Sequence, residues 1–140
     1  MTTIEAYSTT RTGTPIERAA ARLGLAAAVL LLRLPFRHTV RAARLARRLG
    51  RRPLLPGQGQ TLVEAVRHSG RTWPVRIACL ETSLGAMLAA ALLGYELTWH
   101  LGARFVPPPT EYHAWAEVPG HGPVGEYTEA GWYHHTALRI

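Results

Sequence analysis

The stretch TWPVRIACLETSLGAMLAAALLGYELTWHL, residues 72–101, changes its hydrophobic period in the middle. Trp73-Pro74 disfavours helix before the proline. Leu80, Leu84, Met87, Leu88, Ala91 and Leu92 then recur with a period of 3.6. The helix they define begins near residues 76–79, carries Cys79 in its first turn, and is capped by Gly94. Beyond Gly94 the period becomes two: Tyr95, Leu97, Trp99 and Leu101 alternate with Glu96, Thr98 and His100. A buried helix that hands over to a half-buried strand predicts an α+β fold, with a central helix on a small antiparallel sheet.

Downstream, residues 112–118 read as a second strand with His113, Trp115 and Glu117 on one face. Pro119-Gly120 turns the chain, residues 124–127 are placed to return antiparallel, and the tail HTALRI supplies a last edge strand. Upstream, Thr14-Pro15-Ile16-Glu17 is a capping box with proline at the first helical position. It predicts a helix over residues 15–34, with Ile16, Ala20, Leu23, Ala27, Leu30 and Leu34 at helical spacing. The apolar run 23–32 spans only ~15 Å as a helix, half a bilayer core. A buried core helix is the reading, with a membrane-surface or partner contact second. Pro35 opens a second helix over residues 36–49, stopped by Gly50. Residues 51–60, RRPLLPGQGQ, read as a Pro/Gly linker, and Thr61-Leu62-Val63-Glu64 as a capping box opening a short helix to about Gly70. The division expected is an arginine-rich helical region over residues 1–52 and a core over residues 53–140, together one compact unit.

Composition narrows the chemistry. All 16 basic residues are arginine, all nine acids are glutamate, and asparagine is absent, for a formal charge of +7. Arg37, Arg41, Arg44 and Arg48 form one stripe along the second helix, and Arg47, Arg51 and Arg52 widen it. Such a stripe is either a solvated face or the docking surface of an anionic partner. It lacks interleaved aromatics and any nucleic-acid-binding motif, which argues against nucleic acid. The single cysteine excludes an internal disulfide and makes a reducing, cytoplasmic setting the default. No signal peptide or transmembrane segment is read, and no phosphate-binding loop or G-x-S-x-G elbow occurs. His134-His135 with His121 lacks a recognisable metal-ligand spacing, so neither metal nor cofactor is expected.

A cysteine in the first turn of a helix faces unpaired backbone N–H groups and the positive end of the dipole, both of which favour thiolate. A strand histidine facing it, His113, is placed to accept the thiol proton and later protonate a leaving amine. A third group must hold the imidazole. With no aspartate or asparagine, glutamate is the only carboxylate. Glu126 lies on the returning strand beside His113, Glu129 is the fallback, and Glu117 is ~13 Å along the same strand, too far. Without further information, a lone cysteine on an apolar helix is equally an inert packed residue. Trp73, Trp99, Trp115 and Trp132 read as core or cleft walls, with Trp115 shielding His113 from water.

Cys79-Leu80-Glu81-Thr82-Ser83-Leu84, the strand running to Gly102, His113-Ala114-Trp115-Ala116-Glu117 and Pro123-Val124-Gly125-Glu126 occur in the order of a known family. Over residues 73–140 the chain resembles the B2 proteins of lasso-peptide biosynthesis, leader peptidases of the transglutaminase-like, papain-like cysteine protease superfamily. The resemblance implies a Cys79–His113–Glu126 triad, although the family often has aspartate at the third place. It implies a ribosomal precursor peptide as substrate, cut between leader and core. It also implies a separate leader-binding B1 protein and an ATP-using lasso cyclase as partners. The side-chain amides open to an oxyanion hole are Gln58 and Gln60; the Cys79 backbone N–H is the better donor. Trp115 and the stripe Arg37, Arg41, Arg44 and Arg48 become candidate contacts for leader or partner. Two rivals stay open: a non-catalytic basic helical adaptor for an anionic peptide or surface, and an acyltransferase using the same triad on an amine.

Overall fold

The computed structural model describes residues 13–105, 110–125 and 133–140. Four helices precede a four-stranded sheet: α1 (Pro15–Leu32), α2 (Phe36–Leu49), α3 (Pro56–Gly70), α4 (Cys79–Leu92), β1 (Thr98–Phe105), β2 (Thr110–Val118), β3 (Gly122–Val124) and β4 (Tyr133–Arg139). The sheet order is β3-β2-β1-β4, and every pairing is antiparallel. The α+β class read from the change of period is the observed one.

The capping box at α1 forms in full: Thr14 N–H donates to Glu17 Oε1 and Glu17 N–H to Thr14 Oγ1, both at 3.2 Å. The face that α1 buries differs from the stripe in the sequence. Ala20, Ala21, Gly24, Leu25, Ala28 and Val29 are buried, whereas Ile16, Leu23 and Leu30 are 70%, 63% and 65% exposed, and Leu34 is exposed beyond the helix end. The cause is the closeness of α1 to α4. A Cβ built on Gly24 would lie 2.4 Å from the Gly85 carbonyl oxygen and 2.8 Å from the Ala89 nitrogen. Small side chains let two helix backbones approach, and here that contact outweighs burial of the larger leucines. α1 is therefore a half-buried helix with an apolar outer stripe.

The linker expected over residues 51–60 is shorter. α3 starts at Pro56, with proline at the first helical position and the Leu55 N–H donating to Gln58 Oε1 at 3.1 Å. Thr61 is inside the helix, its hydroxyl donating to the Gly57 carbonyl at 2.9 Å, so it caps nothing. Gly59 is in the helix to let β2 and β3 approach: its Cβ would lie 2.9 Å from Val118 Cγ2. Before α3, Arg52 pairs with Tyr95 in an isolated parallel bridge, and its guanidinium sits 4.5 Å from the Tyr95 ring centroid. This explains why β1 begins at Thr98 rather than Tyr95.

The sheet presents one face to α4. Trp99, Leu101, Ala114 and Ala116 are paired in register, and Leu97, Trp99, Ala116 and Val118 pack with α1, α3 and α4 side chains. β1 continues through Gly102 to Phe105. Between Leu101 and Gly102 the pairing with β4 shifts, and a Cβ on Gly102 would sit 2.0 Å from the His135 carbonyl oxygen. Glycine is the residue that this close approach admits. The returning strand is β3, ending at Val124; residues 126 and 127 lie outside the described residues. Among the described residues, no helix is long and apolar enough to cross a membrane.

Candidate active site

Cys79 is the first residue of α4 and is exposed. The helix starts there because Ala78 is extended and its N–H donates to Glu81 Oε2 at 3.0 Å, half of a capping box. A buried relay ties the cysteine backbone to the sheet. Trp99 Nε1–H donates to Ser83 Oγ at 2.9 Å, and Ser83 Oγ–H donates to the Cys79 carbonyl at 2.6 Å. Ser83 and Trp99 are both buried, so the first turn of α4 is anchored from below while its thiol stays accessible. The sequence shows Ser83 only as a member of the Cys-Leu-x-x-Ser-Leu pattern; its role depends on a tryptophan in the next element.

Two recesses meet at Cys79. One, of about 470 Å³, is bordered by Cys79, Thr82, Arg67, Arg76, His113 and Ala116 among others. The second, of about 640 Å³, is bordered by Cys79, Leu80, Leu101, Tyr112, His113 and His135 among others. Cys79, His113 and Ala114 border both. One arm of this cleft thus carries two arginines among mixed polar and aliphatic groups, and the other is walled by aliphatic and aromatic groups.

His113 sits on β2, paired with Gly102 on β1, which puts no side chain opposite it across that strand pair. Its ring stacks along Trp115, with centroids 6.0 Å apart and planes at 16°, and lies 6.0 Å from the His134 ring. The strand alternation therefore puts Ala116 in the core with the helices, buried Ala114 at the cleft beside the start of α4, and the His113 ring with Trp115 on the other sheet face. His134 joins that face, while His135 borders the apolar recess, as neighbours on a strand do. Trp115 is fully buried, and its Nε1–H donates to Glu117 Oε2 at 2.7 Å. Glu117 thus holds the indole that lies beside His113.

Behind Trp115 is a second buried histidine. The His100 ring stacks on Trp115 at 5.6 Å. Its Nε2 is 3.0 Å from Thr98 Oγ1 and its Nδ1 is 2.9 Å from Thr136 Oγ1. The Thr98 hydroxyl donates to the Glu117 carbonyl at 3.1 Å. Nε2 must then donate to Thr98, leaving Nδ1 to accept from Thr136: the network fits neutral imidazole. Burial lowers the His100 pKa below its ordinary value; the nearby Glu117 carboxylate, 3.6 Å from Nδ1, opposes that, and Arg139 adds to it.

Glu126 and Trp132 lie outside the described residues, as does Glu129. Gln58 and Gln60 are engaged within α3, accepting from Leu55 and donating to Glu64, and neither borders the two recesses. The arginine stripe lies on α2, away from the cleft. Arg37, Arg41, Arg44 and Arg48 are exposed, while Arg47 is drawn inward to pair with Glu96.

Neither a curated protein nor a solved structure matches the chain. A family described as the transglutaminase-like superfamily matches over residues 11–137, from the residues before α1 into β4. A helix opening on an exposed cysteine, packed on an antiparallel sheet with a histidine strand, agrees with that match over nearly the whole length, and the chain belongs to the transglutaminase-like superfamily.

Proposed function

We propose that the chain is a cysteine peptidase that removes the leader from a ribosomally made lasso-peptide precursor. The observation that carries this reading is the exposed Cys79 at the first position of α4, where two recesses meet and His113 borders both. The B2-like order of elements over residues 73–140 supplies the substrate class.

In the proposed reaction the Cys79 thiolate, its proton taken by His113, adds to the carbonyl carbon of the last leader residue. The Cys79 backbone N–H, at the first position of α4, holds the oxyanion. Collapse breaks the C–N bond, and the imidazolium gives its proton to the departing amine of the core peptide. Water, deprotonated by the same imidazole, hydrolyses the thioester and releases the leader carboxylate. Glu126 holds the imidazole in this scheme. The ring has to meet the sulfur at the shared mouth of the two recesses, since the body of β2 turns Ala114, not His113, toward α4. The free amine is what a lasso cyclase needs for macrolactam closure.

The reading includes a division of labour with a leader-binding B1 protein in the cytoplasm, which would hold the leader while the cleft cuts it. The exposed α1 stripe Ile16, Leu23 and Leu30 and the α2 stripe Arg37, Arg41, Arg44 and Arg48 are the proposed contacts for leader or partner. Those same surfaces are what a non-catalytic adaptor would use, so the decisive experiment is chemical. Wild-type protein, incubated with cognate precursor and leader-binding partner, is expected to release leader. Cys79→Ala is expected to release none. An undiminished rate in Cys79→Ala would remove the peptidase reading. Transfer of the acyl group to an added amine in preference to water would replace it with the acyltransferase reading.

A further inference from the structure

On the far side of α3 from residues bordering the cleft is a recess of about 310 Å³ that the reaction does not use. Arg18 and Arg22, one turn apart on α1, form one wall; His68 and Ser69 at the end of α3, with Thr72 and Trp73, form the other. The volume is at the lower end of ligand pockets and suits one small group rather than an extended chain.

No carboxylate borders the recess, and neither guanidinium is paired with one among the described residues. Arg18 is steadied by donating to the Gly13 carbonyl at 2.6 Å, and Arg22 is exposed. Two like charges at i and i+4 on a helix repel. Both nevertheless border the recess opposite Ser69 and Thr72, and the Thr72 hydroxyl donates to the Ser69 carbonyl at 3.3 Å. His68 Nδ1 is shut from solvent with no hydrogen-bond partner among the described residues, so a protonated Nδ1 is a donor open to a bound group. Trp73 gives the hollow an aromatic wall, partly buried against the core, on which a short stem can lie.

The geometry points to an oxyanion-binding recess: a carboxylate or phosphate held between Arg18 and Arg22, its stem on the Trp73 indole. Planar guanidinium groups match both oxyanions in a bidentate manner, and the Ser69 hydroxyl is placed to add a polar contact. The site is separate from the cleft, because Arg67, Arg76 and Ile77 line the cleft while their neighbours His68, Ser69 and Trp73 line the recess.

The test is a titration of the full chain, at constant ionic strength, with inorganic phosphate and with the amide of N-acetylglutamate. The readout is the Trp73 indole N–H resonance, assigned by triple-resonance spectroscopy. A saturable shift with one or both probes is expected. In Arg22→Gln it should be at least tenfold weaker, and in Arg41→Gln/Arg44→Gln, which lowers the charge of α2 by more, it should be unchanged. Tighter binding of phosphate would identify a phosphoryl-bearing ligand, and tighter binding of the glutamate amide an acidic side chain of a peptide. Lack of saturation with both probes, or an undisturbed shift in Arg22→Gln, would overturn the proposal. Equal weakening in the α2 variant would do so too, since the response would then be to overall charge.

Discussion

The Ser83 hydroxyl accepts from Trp99 and donates to the Cys79 carbonyl, so a single side chain couples the candidate nucleophile to the sheet. Ser83→Ala leaves the buried Trp99 Nε1–H without its acceptor, and stability should drop by about 1–3 kcal/mol, read from the urea midpoint. An unchanged midpoint would show that the relay bears no energy. Glu117 has a comparable place one layer further out. Glu117→Leu removes the acceptor of Trp115 Nε1 and the carboxylate that opposes the lowering of the His100 pKa. An NMR titration of His100 should therefore move further down in that variant; an upward move would mean that the Glu117 carboxylate does not act on His100. The sequence supported Cys79 at a helix start and His113, Trp115 and Glu117 on one strand face, because period and alternation encode both. It could not show the Ser83–Trp99 relay or the Glu117–Trp115–His100 cluster. These depend on rotamers and on pairing between strands well separated in sequence.

Among the elements, α4, β1 and β2 were the most legible, since strong periodicity sits between a proline and a positive-φ glycine, Gly94 at +80°. The sequence marks the α1 cap correctly, but of its helical stripe only Ala20 is buried and Ala27 half-buried, while Ile16, Leu23, Leu30 and Leu34 stay exposed. Hydrophobicity ranks Leu23 and Leu30 above Ala20, Ala21 and Gly24, yet closeness to α4 selects the small residues. Gly24→Ala should destabilise by at least about 1–3 kcal/mol, because its Cβ meets backbone that cannot give way. Leu23→Ser, on the exposed stripe, should stay within about 0.5 kcal/mol. Thermal melts of both variants decide which face packs, and the reverse order would contradict the α1–α4 contact. α3 was read as starting too late. Pro56, Gly57 and Gly59 resemble a flexible linker in composition, but the proline starts the helix and Gly59 is buried against β2 and β3.

At the scale of the whole molecule, the buried neutral His100 links stability to pH. Its folded pKa is below the ordinary 6.5, so the unfolded chain binds the proton more readily. Stability from this group is complete above about pH 6.5 and declines as pH falls from there toward the lowered value. The urea midpoint of wild type should thus fall between about pH 8 and pH 5.5, and that of His100→Gln should fall less. Equal slopes would mean that His100 titrates normally. The charge of +7 and the outer stripes of α1 and α2 belong to the same scale; their orientation needs the packed structure, whereas the arginine count does not.

The proposed chemistry rests on an imidazole that acts on the Cys79 sulfur. Because Cys79 is the single cysteine, iodoacetamide reports on it alone, and the pH profile of alkylation tests that link directly. In wild type the rate should rise with an inflection below the ordinary thiol value of about 8.5, and in His113→Gln the inflection should move up toward that value. Identical profiles in the two proteins, both near the ordinary value, would contradict it.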